Sequence, residues 1–232
     1  MSVSILPHLR ISLEEARRMQ NLLKERIVIE DCLPSKINLV AGVDVAYSGD
    51  FAFGAVAVLD YESFQVVEKQ TSMETVYFPY VPTLLSFREI RPAYSAVKRL
   101  RTRPDVFLVD GHGYAHPSHL GFATHLGLLL DAPTIGVAKG LLCGEVIETN
   151  ERTHKLIVHE GKIIGAEVST RPNVKPIYVS QGYKISLDNA IKIVVHCAGR
   201  YRIPAPLREA HITAQERKRE EKCGPPVHHI RK

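Results

Sequence analysis

Residues 106–113 read Val106-Phe-Leu-Val-Asp-Gly-His-Gly113, a short apolar run that ends in an acidic residue and a glycine-rich turn. Such a run is typical of a central strand that is buried on both faces. A helical segment is predicted to follow over residues 118–130, and a second apolar strand, residues 133–138, leads into Lys139-Gly140. This strand–helix–strand order predicts two parallel strands joined by a crossover helix.

The chain before this unit predicts an antiparallel meander. Residues 37–46 and 51–59 form a hairpin around Ser48-Gly-Asp50, and residues 64–76 supply a third, more polar strand. A capping box of Ser12 and Glu15 opens an amphipathic helix that runs to about residue 28. Residues 84–89 predict a short helix, and Arg91-Pro92 is expected to interrupt it. A second helical stripe of apolar residues follows and ends near residue 100.

The chain after this unit adds a hairpin, a strand and two helices. The hairpin joins residues 156–159 to 163–170, a strand covers 177–185, and Ser186 is expected to cap a helix over 186–197. A last helix carries His211. These elements predict an α/β fold with a mixed β-sheet flanked by helices, in a single domain. We expect a catalytic domain over residues 1–222 and a short C-terminal tail over residues 223–232.

Composition fits a globular protein with a mild basic excess. The 232 residues are 45% hydrophobic and 24% charged, and Lys+Arg 30 against Asp+Glu 25 gives a net charge of +5. This excess permits a polyanionic partner without demonstrating one. The four cysteines are far apart, without a C-x-x-C pair, and no apolar run is long enough to span a bilayer. We therefore expect a cytoplasmic protein without a membrane partner.

Three carboxylates stand out as candidates for chemistry. Asp44 interrupts an apolar strand, where an unpaired charge is costly, although it could face solvent on an edge strand or pair with an arginine. Asp110 ends the strand quoted above, where ligands gather in α/β sheets, although it could simply cap the next helix. Glu89 lies near the end of a short predicted helix, where it could be a solvated surface residue.

Together the three carboxylates point to a divalent cation. An oxygen-only ligand set suits hard ions, Mg²⁺ above all, which can activate water and neutralise a phosphoryl transition state. Residues 86–105 carry six basic and two acidic residues, so we expect basic side chains near this site and a phosphodiester substrate. A solvated helix face is the alternative explanation for these charges.

Seven motifs occur in an order and spacing that resemble the endonuclease V family, the deoxyinosine 3′ endonucleases. They are Gly42-Val-Asp-Val-Ala-Tyr47, Phe78-Pro-Tyr-Val-Pro82, Ser86-Phe-Arg-Glu-Ile90, Val109-Asp-Gly-His-Gly113, His116-Pro117, His125-Leu-Gly127 and Pro133-Thr-Ile-Gly-Val-Ala-Lys139. The resemblance extends over residues 11–217. It implies a ribonuclease-H-like fold and Mg²⁺-dependent hydrolysis, with Mn²⁺ as a substitute, of the second phosphodiester on the 3′ side of a deaminated purine. The products would carry a 3′-hydroxyl and a 5′-phosphate.

The resemblance also assigns roles to single residues. Asp44, Glu89 and Asp110 would be the metal ligands, with Lys139 near the scissile phosphate and His211 contributed by the last helix. Tyr80 would be the wedge that enters the nucleic acid beside the damaged base. At position 83, where the family commonly has glycine, this chain has threonine, whose Cβ could narrow the base pocket. The expected substrate-binding residues are Tyr80, Thr83, Leu85, Gly111, Gly113 and His116.

The chemistry of the base supports a pocket lined by main chain. Hypoxanthine differs from adenine by a carbonyl at C6 and a donor at N1, which backbone groups of Gly111 and Gly113 could recognise once the base leaves the stack. An ordinary tight turn at these glycines, and a core tyrosine at position 80, are the structural alternatives. DNA containing deoxyinosine is the expected partner, and we expect a monomeric enzyme. Inosine in single-stranded RNA, and a catalytically silent nucleic-acid-binding module, are the competing functions.

Overall fold

The computed structural model describes residues 5–149 and 154–223. The strands are β1 (Leu39–Ser48), β2 (Phe51–Asp60), β3 (Val66–Thr75), β4 (Val106–Asp110), β5 (Thr134–Ala138), β6 (Glu145–Ile147), β7 (His154–His159), β8 (Lys162–Val168) and β9 (Ile177–Tyr183). The helices are α1 (Leu13–Lys24), α2 (Leu85–Val97), α3 (Phe122–Leu130), α4 (Leu187–Ala198) and α5 (Ala205–Cys223).

The nine strands form one mixed sheet in the order β3-β2-β1-β4-β5-β9-β8-β7-β6. β1, β2 and β3 pair antiparallel, whereas β4 is parallel to both β1 and β5. The expected meander and the expected parallel unit therefore meet along β1 and β4. This arrangement confirms the mixed α/β fold in one domain.

Helices cover both faces of the sheet, and two glycines let them approach closely. A Cβ at Gly42 would lie 2.0 Å from the carbonyl oxygen of Pro206, so α5 packs directly on β1. A Cβ at Gly54 would lie 2.1 Å from the carbonyl oxygen of Pro92, so α2 packs directly on β2. Gly54 pairs with Val45 across the two strands, and side chains alternate between faces along a strand. The two helices therefore lie on opposite faces of the sheet.

The predicted break at Pro92 was wrong, because α2 continues through it to Val97. Proline removes one helical hydrogen bond, yet here the helix is held by packing instead. The Ser72 hydroxyl donates to the Pro92 carbonyl at 2.6 Å, and Ile90, Ala93 and Val97 are buried in the core under the sheet. Tertiary contacts thus override the local preference.

The other differences lie at the ends of elements. Helix α3 begins at Phe122 rather than 118, because residues 117–121 form turns in which His119 has a φ of 57°. Strand β6 was not predicted, since its three residues show no periodicity. The caps at Ser12 and Ser186 are confirmed. Helix α5 reaches Cys223, the first residue of the expected tail, whose residues 224–232 lie outside the described chain.

Candidate active site

The candidate site lies where β4 ends beside the longer strand β1. Val43 pairs with Val109, so Asp44 and Asp110 are the next residues along two neighbouring parallel strands. β1 continues to Ser48, whereas β4 stops at Asp110. Beyond this point the sheet is open beside β1, and side chains from helices on both faces can reach the same edge.

Asp44 is buried, with 8% of its surface exposed, and its partner is a histidine. His211 on α5 lies opposite, with 2.7 Å between its Nδ1 and Asp44 Oδ2. Because a carboxylate oxygen accepts, Nδ1 carries the hydrogen and Nε2 is directed away from Asp44. Burial, followed by the charge of Asp110, raises the pKa of the Asp44 carboxyl, and the hydrogen bond from His211 opposes this rise. The solvent-facing and arginine-paired alternatives for Asp44 were therefore wrong.

Glu89 is also buried, with 9% of its surface exposed, so the solvated alternative was wrong. It lies on α2, and its Oε1 accepts a hydrogen bond from the hydroxyl of Tyr47 at 3.3 Å. Burial, followed by the charges of Asp44 and Asp110, raises the pKa of Glu89 to about 8. Burial and the charge of Asp110 thus disfavour negative charge on both Asp44 and Glu89.

Asp110 is joined to Lys139, the residue that follows β5, by a short ion pair between its Oδ2 and the lysine ammonium. The turn that carries Lys139 is held from two sides. His112 donates from Nε2 to the Gly140 carbonyl at 2.9 Å, and Arg202 lies 3.5 Å from the Lys139 carbonyl oxygen. Lys139 is therefore fixed beside Asp110 even though its side chain is half exposed.

The donor set of this site fits a hard divalent cation. The three carboxylates offer only oxygen ligands, and their mutual repulsion would be relieved by a positive ion among them. In the described ranges, however, no three acidic, histidine or cysteine side chains already converge as a cation cage. Each carboxylate has a separate partner instead: His211, Tyr47 and Lys139.

Tyr80 is exposed to solvent over 68% of its surface, which excludes a core tyrosine. The segment that carries Tyr80 ends next to Thr83. The main-chain carbonyl of Thr83 accepts a hydrogen bond from the Gln20 side chain of α1 at 2.9 Å, which holds this end of the segment in place. Thr83 itself has a φ of 68°, a conformation that glycine adopts without strain and a β-branched residue rarely adopts. Threonine at this position therefore strains the backbone.

His116 lies in the loop after the glycine turn and is 5% exposed. The main-chain N–H of Ser118 donates to its Nδ1 at 3.2 Å, so Nδ1 is an acceptor and Nε2 carries the hydrogen of the neutral ring. Burial lowers the pKa of His116 to about 4, and a hydrogen bond with the main chain of Thr83 opposes this fall. His116 thus connects the glycine turn to the end of the Tyr80 segment.

The two glycines of the turn differ in their surroundings. A Cβ at Gly113 would lie 2.4 Å from the Gln181 carbonyl oxygen on β9. The Gly113 N–H donates to the Ser180 hydroxyl at 2.9 Å, so this glycine permits close packing of the turn on the sheet. The atoms nearest to a Cβ at Gly111 would belong to the Phe122 side chain, the first of them at 3.3 Å. Leu85, half-buried at the start of α2, follows Thr83 closely in the chain. Base contacts by these three residues stay predictions.

The expected grouping of basic side chains around the carboxylates was wrong for most of the segment. Arg88 lies with its guanidinium 4.8 Å from the centre of the Tyr47 ring. Arg99, Arg101 and Arg103 precede β4, whose start is the strand end opposite to Asp110. Arg99 and Arg101 contact the edge strand β3. Arg99 donates to the Thr71 carbonyl, and the carboxylate of Glu68 accepts from the main-chain N–H of Arg101 at 3.0 Å.

Sequence reasoning missed Tyr47 and Gln20 as parts of the site. Tyr47 closes the motif that contains Asp44, but its contact with Glu89 joins residues 42 positions apart. Gln20 contacts Thr83 over 63 positions. The signal in the sequence is the position of Gln20 within the apolar stripe of α1, beside Met19 and Leu23.

In the described part of the chain, no helix is both long and apolar enough to cross a bilayer.

Known proteins resemble this chain over most of its length. The family model described as endonuclease V matches residues 21–212. Endonuclease V of Thermofilum pendens is 49% identical over 92% of this chain and 92% of its own, and that of Trichormus variabilis is 43% identical over 89% and 96%.

Solved structures agree. Endonuclease V of Streptomyces avermitilis superposes with a TM-score of 0.87 at 34% identity, over 94% of this chain and 98% of that one. The Ciona intestinalis enzyme was solved with a 24mer DNA containing an inosine followed by a ribo-adenosine; it has a TM-score of 0.79 at 30% identity, over 91% and 99% of the two chains. The match in sequence and fold over nearly the whole chain shows that this protein belongs to the endonuclease V family.

Proposed function

We propose that this nuclease cuts nucleic acid beside a deaminated purine, with deoxyinosine in DNA as its substrate and Mg²⁺ as its cofactor. The observation that carries the proposal is the set of three carboxylates around the end of β4, two of them buried. The exposed ring of Tyr80 would act as the wedge. The carboxylates suit phosphoryl chemistry, and the wedge suits extrusion of a base from the stack.

Asp44, Glu89 and Asp110 would hold the ion. When bound, Mg²⁺ supplies a Lewis acid that activates water and neutralises charge on the phosphate. Lys139 would then be free of its ion pair with Asp110 and could donate to a phosphate oxygen. His211, oriented through Nδ1 by Asp44, directs Nε2 outward, where it can accept a proton from the attacking water.

The bond that breaks determines the ends of the product. Attack of water on phosphorus with O3′ as the leaving group gives a 3′-hydroxyl and leaves the phosphate on the next 5′ oxygen. We place this cut at the second phosphodiester on the 3′ side of the lesion, so one undamaged nucleotide separates the base pocket from the carboxylates. The main chain at Gly111 and Thr83, joined to His116, would line that pocket.

Inosine in RNA is the second candidate substrate. The DNA bound to the Ciona enzyme carries a ribonucleotide directly after the inosine, which is compatible with ribose at the cut. A protein that reads the base through its main chain does not need to discriminate between the two sugars.

Parallel cleavage of labelled DNA and RNA oligonucleotides with one inosine tests the proposal. We expect Mg²⁺-dependent cutting one nucleotide 3′ of the lesion, far faster than at adenine, with a ligatable 5′-phosphate. Asp44→Asn and Asp110→Asn should abolish cutting while the protein stays folded, and Asp188→Asn, an exposed carboxylate on α4, should not. Release of free hypoxanthine, or equal cutting at adenine, would refute the proposed chemistry.

A further inference from the structure

Tyr47 contacts Glu89, one of the three carboxylates proposed to hold the metal ion. It lies on β1 three residues after Asp44, so its side chain leaves the opposite face of the strand, the face covered by α2. There its hydroxyl donates to Oε1 of Glu89 at 3.3 Å. One strand therefore supplies a carboxylate to one side of the site and a hydrogen-bond donor to the other.

The Tyr47 ring is itself held in place. The guanidinium of Arg88 stacks over it at 4.8 Å from the ring centre, and Nη1 of Arg88 donates to the Phe78 carbonyl at 2.8 Å. Phe78 opens the segment that carries Tyr80. The Tyr47 ring is thus packed against Arg88, and Arg88 is itself bonded to the start of the segment that carries Tyr80. This packing holds the Tyr47 hydroxyl next to Glu89.

We propose that Tyr47 is a positioning residue that fixes the Glu89 carboxylate for metal binding. A donor on Oε1 sets the rotation of the carboxylate and leaves Oε2 for the cation. Partners of metal ligands commonly act in this way, and their loss costs about 10- to 100-fold in metal affinity or activity. The inference rests on the proposed function, since it takes Glu89 to be a metal ligand.

Tyr47→Phe tests this role because it removes the hydroxyl and keeps the ring under Arg88. Mn²⁺ affinity, measured by calorimetry on the full chain without nucleic acid, should fall about 10-fold or more. The Mg²⁺ concentration that gives half-maximal cutting should rise to match, while affinity for inosine DNA stays within about 2-fold. Tyr94 lies on the same helix as Glu89, with Lys98 near its ring. Tyr94→Phe should change neither the Mn²⁺ affinity nor the Mg²⁺ concentration that gives half-maximal cutting.

A double-mutant cycle separates positioning from general loosening of the fold. If Tyr47 acts through Glu89, Tyr47→Phe should weaken Mn²⁺ binding no further in a Glu89→Gln background. Unchanged Mn²⁺ affinity in the single variant, or an equal loss in both backgrounds, would overturn the inference. These metal titrations are independent of the lesion, so a failure of inosine cleavage in the wild type would refute the proposed substrate and leave the result for Tyr47 interpretable.

Discussion

Replacing Glu89 by glutamine should stabilise the metal-free protein. The pKa of Glu89 is about 8 in the folded chain, against an ordinary value of 4.5, because of burial and the neighbouring carboxylates. Between these two values the folded state binds a proton that the unfolded state has lost. The contribution of Glu89 to stability is therefore fully present below pH 4.5 and is lost as pH rises towards 8. Glutamine has nearly the same shape and avoids the charge.

The size of the effect follows from the pKa difference. Each pH unit between the two pKa values costs about 1.4 kcal/mol, so the penalty reaches roughly 3 kcal/mol at pH 7 and levels off near 5 kcal/mol above pH 8. The buried histidines His116 and His125 favour the opposite pH dependence, so the cost is obtained from the difference between variants. In urea unfolding with EDTA, Glu89→Gln should gain stability relative to the wild type between pH 5 and pH 8, whereas Glu62→Gln, an exposed residue in the β2–β3 turn, should behave as the wild type.

Addition of Ca²⁺ should make the wild type more stable than Glu89→Gln at pH 8. A cation among the carboxylates offsets their repulsion, so the wild type should regain stability at pH 8, and Glu89→Gln should gain less. If the wild type and Glu89→Gln show parallel pH dependence in EDTA, or if the glutamine variant is the less stable at pH 8, Glu89 does not carry the electrostatic cost assigned to it.

Three further changes probe the wedge and the core. Tyr80→Ala should weaken binding to inosine in duplex DNA more than in single strands, because unstacking is needed only in the duplex; equal losses in a binding titration would mean that Tyr80 is no wedge. Thr83→Gly relieves the backbone strain at a φ of 68° but makes the unfolded chain more flexible. The free energy of unfolding should therefore be unchanged or rise by up to ~1 kcal/mol, with cleavage retained. A variant that loses both stability and cleavage would contradict the strain at Thr83. Burial lowers the pKa of His125 to about 4, so stability should fall as pH drops from about 6.5 towards 4. His125→Gln, compared with its parent in a Glu89→Gln background, should reduce that fall in urea titrations.

Sequence patterns predicted the sheet because its strands are strongly apolar and its hairpins are local. β1, β2 and β4 lie within a few residues of their predicted bounds. Asp44 and Asp110 could be identified as candidates because a charge inside or at the end of such strands is rare. Glu89 was a candidate only in combination with the two aspartates, since a carboxylate on an amphipathic helix is ordinary. A histidine on such a helix is ordinary too, and only the resemblance to a known family singled out His211.

What the sequence could not provide was the set of long-range polar contacts. Tyr47 with Glu89 and Gln20 with Thr83 depend on which faces of distant elements meet. The arginines near residue 100 illustrate the converse error, because nearness in sequence to Glu89 suggested nearness in space. A strand and its preceding loop carry residues to opposite ends of the sheet, so charge counted along the chain does not locate a charged surface.

The close approach of α5 to Gly42 has a consequence for how the candidate site forms during folding. His211 lies on α5, and its ring reaches Asp44 only when that helix is docked on β1. The two residues are 167 positions apart in the sequence, so local folding of β1 cannot supply this contact. The hydrogen bond of Asp44 therefore forms only after a long-range packing step, and any change that loosens α5 from Gly42 also removes the partner of Asp44.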